Sequence, residues 1–62
     1  MNTGDIVQIK QASARAWPEA EGAVGMIVAM AKRLYIPAAK VMVLGEVAEF
    51  DLDELEVISE SR

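Results

Sequence analysis

The chain has no cysteine, no histidine, only three aromatic residues and two prolines. Each absence closes off a class of protein. Without cysteine there is no disulfide and no thiolate metal site. Without histidine, the commonest metal ligand and the usual general base near neutral pH are gone. Ser13, Ser59 and Ser61 thus have no imidazole to activate them as nucleophiles. No glycine loop for phosphate and no metal-ligand spacing is present. No catalytic residue, metal ligand or cofactor site is expected, and the chain reads as not an enzyme. Long apolar runs are missing too. The longest, residues 23–31, falls well short of the roughly 20 residues that cross a bilayer. Met1 to Asp5 lacks the basic and apolar regions of a signal peptide. The expectation is a cytoplasmic protein without membrane contact.

What is present is a small apolar domain. The 62 residues are 53% hydrophobic, but ten of them are alanine and bury little each. A chain this short buries only about 60% of its unfolded surface. With no staple, self-association or docking on a larger protein is the natural way to complete its core. One domain over residues 1–62 is expected, with a core spanning 4–58 and a frayed tail at 59–62. The net charge of −4 is uneven. Residues 1–45 hold Lys10, Arg15, Lys32, Arg33 and Lys40 against three carboxylates, whereas residues 46–62 hold seven carboxylates against Arg62 alone. An acidic whole repels phosphate backbones at long range, which disfavours nucleic acid as a partner.

The organising stretch is residues 22–30, with Gly22 and Gly25 three apart in an apolar run. Each glycine costs a helix about 1 kcal/mol against alanine. In a strand, Gly25 serves as a bulge or as the point where another backbone passes closely. Residues 23–31 are therefore read as a long, bent central strand, with an amphipathic helix over residues 20–35 as the rival. Before it, Ile6 to Lys10 partly alternates after the Gly4-Asp5 turn signal, and residues 5–10 are read as the first strand. Residues 11–21, with Trp17 and Pro18, form a long loop, or a helical turn at 12–16 that ends before Pro18. Residues 32–37 are a loop carrying Leu34, Tyr35 and Ile36. Residues 38–44 alternate, with Ala39, Val41 and Val43 on one face and Lys40, Met42 and Leu44 on the other. Gly45-Glu46 is expected as a two-residue type II′ turn into a fourth strand. Residues 49–55 end that strand in a single helical or 3₁₀ turn capped by Asp51, with Asp53 and Glu54 at its positive end. The carboxylates there lack the spaced acid-glycine-acid loop of a calcium site and are read as caps. Residues 56–58 are a fifth strand.

This pattern resembles the SH3-like small barrels, and within them the KOW-type and related microbial ones. Gly4-Asp5-Ile6-Val7-Gln8-Ile9, Gly22-Ala23-Val24-Gly25-Met26-Ile27-Val28 and Phe50-Asp51-Leu52-Asp53-Glu54-Leu55-Glu56-Val57-Ile58 carry the likeness. It implies an all-β, five-stranded SH3-like barrel with one 3₁₀-type turn before the last strand. In size and style, though on no motif, the chain also resembles the short barrels encoded by tailed phages. The fold hosts many unrelated functions. KOW modules that bind nucleic acid present basic loops, whereas this chain ends acidic. Val7-Gln8-Ile9 shares part of the Val-Gln-Ile-Tyr motif of plasmid-type dihydrofolate reductases, but Lys10 follows it, and that activity is not carried over.

The informative residues are apolar ones in loops. Trp17, Leu34, Tyr35 and Ile36, ringed by Arg15, Lys32 and Arg33, are expected to form a protein interface at one end of the barrel, because Trp, Tyr and Arg anchor interfaces. Trp17 has a second reading, as a plug over the open end of the barrel. The leading expectation is a non-enzymatic protein-binding or assembly module that meets a protein partner or another copy of itself as a homo-oligomer. In a phage setting it would serve virion assembly or host interaction and be virion-associated. The alternative is a KOW-type nucleic-acid module using Lys10, Arg15, Lys32, Arg33 and Lys40.

Overall fold

A computed structural model of the chain describes residues 1–10 and 17–60, apart from the side chain of Arg33. Five strands are present: β1 (Ile6–Ile9), β2 (Val24–Arg33), β3 (Ile36–Val43), β4 (Glu46–Asp51) and β5 (Leu55–Ser59). Short 3₁₀ turns occupy Pro18–Ala20 and Leu52–Glu54. All pairings are antiparallel, in one sheet of order β4-β3-β2-β1-β5. The sheet is not closed: β4 and β5 are its two edges, joined in sequence by the second 3₁₀ turn. The double-glycine stretch is extended, and the helical rival over residues 20–35 is excluded. The proposed helical turn at residues 12–16 lies outside the described residues.

Alternation sorts the two faces. Val7 and Ile9 of β1, Ile27 of β2, Ala39, Val41 and Val43 of β3, Phe50 of β4 and Leu55 of β5 are buried together, with Ala20 from the first 3₁₀ turn. The expected split of β3 into an Ala39, Val41, Val43 face and a Lys40, Met42 face is the observed one. Trp17, Ala23, Ala48, Leu52 and Val57 pack on this cluster while staying partly exposed.

One register shift interrupts β2, and one glycine lets its neighbour pass close. Its pairing with β3 shifts between Ile27 and Ala29, so Val28 is the bulge. Gly25 faces the core opposite Val7. A Cβ built there would stand 2.5 Å from the Met42 carbonyl oxygen, 2.8 Å from Val41 Cγ1 and 2.9 Å from Val43 Cβ. Of the two roles open to Gly25, close backbone approach is the one it fills, and the bulge falls three residues later.

The start of the chain is tied down by a buried acid. Asp5 is 1% exposed, and its Oδ2 accepts the Asn2 amide at 2.8 Å. The Asp5 amide in turn donates to the Asn2 carbonyl at 3.1 Å. The Gly4 amide and the Asp5 carbonyl both bond the backbone of Ile27, so this turn is locked onto β2. At the other end of the sheet, the Asp51 amide donates to Glu54 Oε1 at 3.0 Å within a capping box. That reciprocal cap fixes the turn between β4 and β5.

Both hairpins differ from expectation. The β3–β4 turn is Leu44-Gly45, with Val43 paired to Glu46, and both φ values are positive, 53° and 79°. It is a type I′ turn one residue earlier than the type II′ turn expected at Gly45-Glu46. Side-chain parity allows either register. The observed one sets Phe50 opposite Ala39 rather than Val41, giving the ring the space left by a methyl side chain. Likewise, residues 32–37 are not a loop. Lys32 and Arg33 belong to β2, Ile36 and Pro37 to β3, and the turn is Leu34-Tyr35 alone.

Candidate functional site

The β2–β3 hairpin tip is the most anomalous place in the described structure. Arg33 pairs with Ile36, so Leu34 and Tyr35 are the two central turn residues, with φ of 47° and 74°. A two-residue turn between strands of this twist demands positive φ at both positions, which is why Asn-Gly is the usual solution. Here two large side chains stand in that conformation, at roughly 1–2 kcal/mol of strain each. They gain nothing in burial for it: Leu34 is 89% exposed and Tyr35 92% exposed.

Immediately beyond the tip lies a depression of about 230 Å³ lined by Ile36, Pro37, Leu52 and Asp53. It forms where the start of β3 meets the second 3₁₀ turn. Its volume is below the roughly 300–1,000 Å³ of small-molecule sites, so it suits a single side chain better than a cofactor. Three of its four lining residues are apolar, and Asp53 supplies a carboxylate on an exposed position. Among the described residues, no group of three or more acidic residues is arranged to hold a metal ion.

The expected interface residues come from more than one segment of the chain. Leu34, Tyr35 and Ile36 are brought together at the tip, with Ile36 52% exposed and Lys32 exposed beside them. Trp17 precedes the first 3₁₀ turn and packs on the core while staying partly exposed. Arg15 and the side chain of Arg33 lie outside the described residues. Lys10, Lys32 and Lys40 are all exposed, Lys10 just after β1, Lys32 in β2 and Lys40 in β3. The Lys10 amide bonds the Glu54 carbonyl at 2.8 Å, and Lys40 pairs in register with Glu49, so two of these cations neighbour acidic residues.

A second surface escaped the sequence reading. On the outer face of the sheet, register aligns Ile6, Met26, Met42 and Val47 across β1, β2, β3 and β4. Met26, Met42 and Val47 are 42%, 43% and 51% exposed. The signal was available as apolar residues at the parity opposite the core, Met26 against Ile27 and Met42 against Val41.

No protein-family model, curated protein or solved structure matches the chain. Among the described residues, no helix is long and apolar enough to cross a membrane.

Proposed function

We propose that this chain is a non-enzymatic protein-docking module, an SH3-like small barrel that presents its β2–β3 hairpin tip to a partner. The barrel reading is supported by the strand order β4-β3-β2-β1-β5, by the bulged long β2, and by the 3₁₀ turn that links the two edge strands. One observation carries the functional reading: Leu34 and Tyr35 are almost wholly in solvent and both hold positive φ. Single exposed apolar residues are ordinary on protein surfaces. Two adjacent ones in strained backbone are not, because neither side-chain burial nor backbone preference favours them within the folded chain. A contact made outside the chain supplies the missing gain, and Tyr is among the types that anchor such contacts.

The test is the double substitution Leu34→Asn with Tyr35→Gly, which installs the preferred type I′ pair. It is expected to raise unfolding stability by about 1 kcal/mol or more, read as a higher urea midpoint at unchanged slope. A lower midpoint would mean that the two side chains serve the fold, and the docking reading would be lost.

A further inference from the structure

The hairpin site contains both halves of a contact. The projecting half is Leu34 and Tyr35, with exposed Lys32 just before them. The receiving half is the depression of Ile36, Pro37 and Leu52, with exposed Asp53 at its border. Tyr35 and Ile36 are consecutive, so projection and depression share one patch. A patch that holds a shape, its counter-shape and charges of both signs meets the condition for an isologous two-fold contact, in which residue i meets j and j meets i.

We propose that the occupant of this site is a second copy of the chain. The tip of each protomer seats in the Ile36, Pro37, Leu52 and Asp53 depression of the other, and Lys32 of one faces Asp53 of its partner. This inference rests on the docking reading above and adds the partner to it. A stable interface covers about 800 Å² on each side, close to a fifth of the 4182 Å² surface of this chain. Tip and depression together span only a few residues, which puts the dimer in the weak, concentration-driven class. The net charge of −4 on each copy opposes approach, but at physiological salt that repulsion is screened beyond about 8 Å, while the Lys32–Asp53 contact is short-range.

Sedimentation equilibrium of the full chain, at physiological salt and up to about 1 mM, tests the proposal. The average mass of the unmodified chain is expected to rise from 6.7 kDa toward twice that value. Leu34→Asn with Tyr35→Gly, and separately Asp53→Lys, are each expected to raise the dissociation constant about tenfold or more. Combining Lys32→Asp with Asp53→Lys is expected to restore association. A mass fixed at 6.7 kDa throughout overturns self-docking. The docking reading then still stands if the Asn-Gly variant proves more stable, with a different protein as occupant. Equal association by the unmodified chain and the Asn-Gly variant also overturns the proposal, because the contact then lies elsewhere, as on the Met26 and Met42 row. Unchanged association in Asp53→Lys overturns the assignment of the depression.

Discussion

Gly25 and Asp5 show how much of this small protein is decided at single positions. At Gly25 the absent Cβ is what lets β3 pass, since the nearest obstacle is a backbone oxygen that no rotamer change can remove. Gly25→Ala is expected to destabilise the chain by about 1–3 kcal/mol, as overpacking of a filled core does, visible as a lower thermal midpoint. A neutral result would mean that the two strands separate more easily than the contact distances imply. The requirement for glycine here was legible in the sequence, because glycine inside an apolar strand signals either a bulge or a close approach. Which of the two applied was not legible, since the choice depends on what β3 places opposite. Asp5 was legible only as half of a turn signal. It is buried, and its carboxylate accepts the Asn2 amide, a contact that no local pattern announces.

Among the elements, the two hairpins make a natural comparison. Both use two-residue turns with positive φ at both positions, yet Leu44-Gly45 has one residue suited to that geometry and Leu34-Tyr35 has none. Leu44→Asn would complete the Asn-Gly pair and is expected to stabilise the chain by about 1 kcal/mol, measured by urea denaturation, with no change in self-association. A loss of stability would show that Leu44, 57% exposed, holds a packing role that its exposure conceals. The strands themselves were readable from alternation and β-branched content, and the 3₁₀ turn from Asp51, Asp53 and Glu54. The hairpin registers were harder. Periodicity of two cannot distinguish registers that preserve side-chain parity, and the choice fell to the pairing of Phe50 with Ala39. Residues 32–37 read as a loop because Pro37 and the paired cations obscure strand character, although Pro37 sits within β3 opposite Lys32.

For the molecule as a whole, charge placement bears on which partners it meets. The acidic residues concentrate at β4, the second 3₁₀ turn and β5, while Lys10 follows β1, Lys32 lies in β2 and Lys40 in β3. A nucleic-acid surface needs cations gathered along one path, because affinity grows with the number of phosphates neutralised. The chain is therefore expected to show no retention on a duplex DNA column even at about 50 mM salt. Retention with a steep salt slope would return Lys10, Lys32 and Lys40 to the role of phosphate contacts. The candidate site was half legible at this scale. Leu34, Tyr35 and Ile36 stood out as large apolar residues between strands, but the depression joins Ile36 and Pro37 to Leu52 and Asp53, and only the fold brings those segments together.

The near-complete solvation of the β2–β3 tip also keeps its side chains out of the interior, although the turn itself favours residues at ease with positive φ. Side chains at positions 34 and 35 contribute almost nothing to the interior, so their identities can drift, exchange or be redesigned while the sheet keeps its order. Exchanging the two changes what the tip presents to solvent and leaves the strand order as it is.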